Sequence, residues 1–90
     1  MQTISITISG EVQGVFYRQT ARERAIALGI TGQVKNLANG NVLILATGSK
    51  ESLDALIAWC HRGPSKAEVT GVVVSEMPLQ QFYNFTIERR

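Results

Sequence analysis

With 90 residues, 44% hydrophobic and 18% charged, the chain has the composition of one small globular domain (1–90) rather than of a disordered segment. One cysteine and one histidine leave it neither an intrachain disulfide nor a Cys/His metal staple, so apolar packing must hold it together. A formal charge of +2 is mildly basic, but no Lys/Arg cluster exceeds the pairs Arg22/Arg24 and Arg89/Arg90, too little to imply a nucleic-acid partner.

Residues 3–9 alternate Thr, Ile, Ser, Ile, Thr, Ile, Ser, which places Ile4, Ile6 and Ile8 on one face of a half-buried strand. From Gln19 to Leu28 the apolar period becomes helical, with Tyr17, Ala21, Ala25 and Leu28 on one stripe that Gly29 stops. Residues 30–37 and 42–48 read as two strands joined through Asn39-Gly40, a dipeptide suited to tight hairpin turns, so they should pair antiparallel. Ser49 can cap a second helix whose Leu53, Leu56, Ile57 and Cys60 form one stripe before Gly63-Pro64 ends it. Residues 69–75 form a β-branched strand, and the alternation of Tyr83, Phe85 and Ile87 predicts a last one with all three facing the core.

This βαββαβ order with a C-terminal strand predicts an α+β, ferredoxin-like αβ sandwich: an antiparallel sheet with two helices packed on one face. In a right-handed βαβ unit the first two strands point the same way, and their C-terminal ends share a sheet edge with the start of the first helix. The segment 10–18 and Asn36 should therefore face each other across a central strand, about 10 Å apart. No apolar run approaches the roughly 20 residues of a membrane span, and the N-terminus lacks the regions of a signal peptide. A cytoplasmic protein with no membrane partner is expected.

The stretch Gly10-Glu-Val-Gln-Gly-Val-Phe-Tyr-Arg18 lies at this handover from strand to helix. Gly10 and Gly14 can turn successive amides inward into an anion nest, the following helix adds its positive end, and Arg18 can grip two oxygens of a phosphate. Taken alone such a loop is more often a plain turn with a surface arginine. It lacks the Gly-Lys-Ser/Thr ending of a P-loop and the acidic residue of a dinucleotide fingerprint.

The run GEVQGVFYR, the segment GITGQVKNLANGNV and the later GPSKAEV together resemble the acylphosphatase family, in order and spacing over nearly all of the chain. The resemblance implies metal-free, cofactor-free hydrolysis of the carboxyl-phosphate bond of acyl phosphates by a small free-standing monomer. It also implies that Arg18 binds the phosphate, that Asn36 orients the attacking water, and that the amides of Gln13, Gly14, Val15, Phe16, Tyr17 and Arg18 cradle the phosphoryl oxygens. Tyr17 departs from the phenylalanine common there and adds a hydroxyl that needs a partner if buried. Glu11 adds a negative charge, expected to weaken phosphate affinity.

The residues agree with such chemistry on their own terms. An arginine, an asparagine and backbone amides can position and stabilise charge but cannot protonate a poor leaving group, so the substrate must leave easily. A carboxylate, whose conjugate acid has a pKa near about 4, does so. The alternative is a regulatory domain that binds a phosphorylated ligand without turnover. An RNA-binding sheet is disfavoured by the absence of an RNP-type aromatic-basic run, and a metal chaperone by the lack of Cys-x-x-Cys. Cys60 reads as core, His61 as a solvent-facing or helix-capping residue, and Arg89 and Arg90 as a solvated terminus.

Overall fold

The computed structural model describes residues 1–89. The elements are β1 (Gln2–Glu11), α1 (Tyr17–Ala27), β2 (Thr31–Asn36), β3 (Val42–Gly48), α2 (Lys50–Arg62), β4 (Glu68–Met77) and β5 (Phe85–Glu88). The strands form one five-stranded sheet in the order β4-β1-β3-β2-β5. The alternation in β1 does what its pattern requires: Ile4, Ile6 and Ile8 are buried under the helices, and Ser5 and Thr7 face the open side.

The sheet is mixed rather than wholly antiparallel. β1 pairs antiparallel with β3 and β4, and β2 antiparallel with β3, but β5 lies parallel to β2. The direction follows from the topology. β4 runs opposite to β2, so a chain that leaves the end of β4 and crosses the sheet at that end must enter β5 along the direction of β2. The crossing segment is tied down by its backbone at Gln80. Thr47 donates its hydroxyl to the Gln80 carbonyl at 2.6 Å, and the Gln80 N–H donates to Thr3 Oγ1 at 2.9 Å. The two buried threonine hydroxyls lie 2.7 Å apart, so neither is left unsatisfied.

Tyr83 does not share the core parity of Phe85 and Ile87. The ladder begins only at Phe85, so Tyr83 belongs to the crossing segment and is fully exposed, while Phe85 is buried. The open face carries Ser5, Thr7, Gln33, Lys35, Leu43 and Leu45, which offers no aromatic platform for stacking bases.

In α1 the buried side chains are Tyr17, Ala21 and Ala25, and in α2 they are Leu53, Leu56, Trp59 and Cys60. Ile57 packs only at the margin of the core and Trp59 takes the deeper place, because α2 also faces α1, where Trp59 meets the Tyr17 ring at 5.1 Å between centroids. The Ser49 hydroxyl caps α2 by accepting from the Ser52 N–H at 3.2 Å.

Gly10 serves the sheet and not an anion nest. It sits in β1 at φ 122°, where the register with β4 shifts, and a Cβ there would collide with the Glu68 carbonyl oxygen. Glu11 is likewise the last residue of β1, exposed and opposite Glu68, outside the loop that leads into α1.

Candidate active site

β1, β2 and β5 point the same way, so their C-terminal ends meet at the edge where α1 begins. A cleft of about 680 Å³ opens there. It is lined by Gly14, Phe16, Arg18 and Gln19 from the loop and α1, Asn36 from β2, Ile87 from β5 and Arg89 just beyond it, among others. The two side chains singled out from sequence, Arg18 and Asn36, thus stand on one cleft although they come from different elements.

The loop between β1 and α1 is shaped by two left-handed residues, Gly14 at φ 75° and Phe16 at φ 64°. Phe16 is the one non-glycine residue at positive φ among the described residues. That conformation costs on the order of 1–2 kcal/mol for a side chain of this kind and persists only where the surroundings impose it. Phe16 is also 74% exposed, so its own burial does not offset that cost. Val12 and Val15, packed into or against the core, fix the loop on either side.

The result is a run of amides with nothing inside the protein to bind. Among the described residues, no backbone N–H from 13 to 18 has an acceptor, and in this segment the first to find one is Thr20, to the Phe16 carbonyl at 3.1 Å. α1 also lacks a side-chain cap and has no acid in its first turn. A helix start that leaves its donors and its positive end unanswered has the chemistry to take an anion.

Gln13 acts through its side chain as well. Its Nε2 donates to the Leu37 carbonyl at 2.9 Å and to the Asn41 carbonyl at 2.8 Å, which pins the loop to the β2–β3 turn just beyond Asn36. Sequence reasoning credited only its amide; a side-chain bond to a turn 24 residues away has no local signature. Asn36 presents its Oδ1 buried and without a hydrogen-bond partner in the protein. A buried acceptor left open costs stability unless something else fills it, and the residue that carries this one lines the cleft.

Among the described residues Arg18 makes only a long contact, from Nη1 to the Glu88 carbonyl at 3.5 Å, which leaves its guanidinium without a close partner there. Tyr17 turns inward instead. Its hydroxyl donates to the Cys60 carbonyl at 2.8 Å, the partner that a buried tyrosine needs, and burial pushes its phenol well above the usual range. Burial likewise pushes the Cys60 thiol up to about 12, which suits a packing residue and not a nucleophile. His61 is exposed in the last turn of α2 and does not line the cleft. Arg89 is not merely a solvated terminus, since it lines the cleft; Arg90 lies outside the described residues. Among the described residues no three His, Cys, Asp or Glu side chains gather as metal ligands would.

Fold and cleft together define a class: a small αβ sandwich whose first helix opens on a cleft with uncapped amides and an arginine in its first turn. The family described as acylphosphatase matches residues 4–87. An acylphosphatase of Methylococcus capsulatus is 47% identical over 90 residues, spanning 99% of this chain and 98% of that protein. Among solved structures, an acylphosphatase from Coxiella burnetii superposes with a TM-score of 0.94 at 38% identity, covering 97% of this chain and 92% of that one. One from Bacillus subtilis does so with a TM-score of 0.95 at 31% identity, covering 98% and 99%. The chain belongs to the acylphosphatase family.

Proposed function

We propose that this cleft hydrolyses acyl phosphates to a carboxylate and inorganic phosphate without a metal ion or cofactor, Arg18 and Asn36 being its catalytic side chains. The observation that carries the reading is the amide run from Gln13 to Arg18, without acceptors among the described residues, at a cleft that Gly14, Arg18 and Asn36 all line, the Asn36 Oδ1 being buried and unbonded. The phosphoryl group sits in the amide cradle, with Arg18 and the positive end of α1 neutralising its equatorial oxygens. Asn36 Oδ1 accepts a hydrogen bond from a water molecule and holds it in line with the bond to be broken.

The water oxygen bonds to phosphorus as the bond from phosphorus to the acyl oxygen breaks. The electron pair leaves with the carboxylate, and the water proton passes to a phosphoryl oxygen. No general acid is required, because a carboxylate with a conjugate acid near pKa about 4 departs unprotonated. Among the described residues that line the cleft none is an acid or a histidine, which suits a reaction without proton donation by the enzyme. On this reading residues 1–90 act as one domain and as a monomer in the cytoplasm, without a nucleic-acid partner.

Hydrolysis of benzoyl phosphate in 18O-labelled water, with chelator present, tests the proposal. Turnover with label in the phosphate is expected. Label in the benzoate would place the attack at carbon and overturn the mechanism, and phosphate binding without turnover would make the cleft a recognition site.

A further inference from the structure

The cleft holds more positive charge than one phosphoryl group needs. Besides Arg18, Arg22 and Arg89 also line it. Among the described residues the ion pair within 4.0 Å is Lys50–Asp54, on the exposed side of α2, so no carboxylate of these residues neutralises the three arginines. Glu88, the acid nearest in the chain to Arg89, turns to the opposite face of β5, where its Oε2 accepts from the Thr86 hydroxyl at 2.9 Å. Gathering like charges without a counter-charge is unfavourable and calls for an anion to occupy the space.

Arg22 is also oriented. Its Nε donates to the Phe85 carbonyl at 2.9 Å, which fixes the plane of the guanidinium and leaves both Nη groups without a protein acceptor among the described residues. It stands four residues after Arg18 on the same face of α1, roughly 6 Å further along the helix axis. Arg18 reaches the Glu88 carbonyl and Arg22 the Phe85 carbonyl, so the two run in step along β5.

We propose that Arg22, supported by Arg89, forms a second anion subsite that selects acyl phosphates whose acyl part carries a further anionic group, a carboxylate or a second phosphate. The inference rests on the reading that the cleft hydrolyses acyl phosphates, and it names the acyl class. The spacing fits a short linker: the monoacyl phosphate of a four-carbon dicarboxylic acid, extended, sets its free carboxylate about 6 Å from phosphorus. Arg18 and the amides hold the reacting phosphoryl group, and the Arg22 fork takes the distal anion.

The test compares kcat/KM for succinyl phosphate and for butyryl phosphate, the same carbon chain without the carboxylate. It uses the wild type, Arg22→Gln, Arg22→Lys, Arg89→Gln and Arg24→Gln. The expected result is that Arg22→Gln lowers the ratio of charged to uncharged substrate by about tenfold and Arg22→Lys restores part of it. Arg89→Gln lowers the ratio less. Arg24, which does not line the cleft, controls for loss of one positive charge on the same helix and should leave the ratio unchanged.

A ratio unmoved by Arg22→Gln, while butyryl phosphate is still hydrolysed, overturns the subsite. So does an equal drop in Arg24→Gln, which would show a general field rather than a contact. A wild type that hydrolyses neither substrate overturns the underlying activity instead. The same series with 3-phosphonopropionyl phosphate separates the two anions: a lost preference for either charged substrate supports the subsite, and for neither refutes it.

Discussion

α1 and α2 lie on the same face of one sheet, yet they begin in opposite ways. α2 answers its own N-terminus, with the Ser49 hydroxyl on the Ser52 amide and Glu51 in the first turn. α1 begins at Phe16 in a left-handed conformation, with no cap bond and no acid. Burial follows the same division: α2 buries Leu53, Leu56, Trp59 and Cys60, whereas α1 buries two alanines and one tyrosine. One helix is finished by its own residues, and the other keeps its donors for a ligand. A helix N-terminus thus shows its use by what fails to satisfy it, and on the proposed function stability and binding fall to different helices of one small core.

The largest break in this contrast should come from removing the ligand's counter-charge at α1. Arg18→Ala is expected to lower kcat/KM for benzoyl phosphate by about a thousandfold or more, with an unchanged far-ultraviolet circular dichroism spectrum. Asn36→Ala should lower kcat by about a hundredfold while leaving inhibition by inorganic phosphate close to wild type. Equal loss of phosphate affinity in both variants would show that Asn36 binds rather than orients.

A smaller effect is expected from loosening the loop. Gln13→Ala removes the bonds to the Leu37 and Asn41 carbonyls and should cost about tenfold in kcat/KM together with about 1 kcal/mol of stability. Ser49→Ala makes the reciprocal test on α2: about 1 kcal/mol lost in urea denaturation, with turnover unchanged.

The contact between the helices carries a pH signature. In the unfolded chain Cys60 and Tyr17 ionise near their ordinary values of 9.0 and 10.0, whereas in the folded protein both hold their protons longer, Cys60 up to about 12. Above pH 9 the native state therefore binds more protons than the unfolded one, and stability falls as pH rises through that window. Below it, neither group contributes a slope. Urea midpoints at neutral pH and at about pH 10.5 should differ accordingly, and Tyr17→Phe should reduce the difference.

Much of this organisation was legible in the chain because it is local. The alternation of Ile4, Ile6 and Ile8, the Ser49 cap and the Asn39-Gly40 turn each carry their signal within a few residues. The juxtaposition of Arg18 and Asn36 was legible for another reason, since right-handed crossover topology puts two strand ends on one edge. What escaped depends on long-range geometry. The parallel entry of β5, the side-chain bonds of Gln13 and the arrival of Arg22 and Arg89 in the cleft all require knowing which distant backbone lies alongside. Gly10 misled because a glycine that relieves a strand bulge and one that opens a nest look alike in sequence. Trp59 escaped because periodicity marks the face toward the sheet and not the flank toward a neighbouring helix.

The left-handed Phe16 bears on how this protein would respond to selection. Glycine or asparagine would adopt its backbone with less strain, so a screen for heat resistance alone would favour replacing it. The replacement would also widen the range of shapes open to the unliganded loop. On the proposed function, phosphate would then have to order a loop held in place by Val12 and Val15, and part of the gain in melting temperature would return as a loss in affinity.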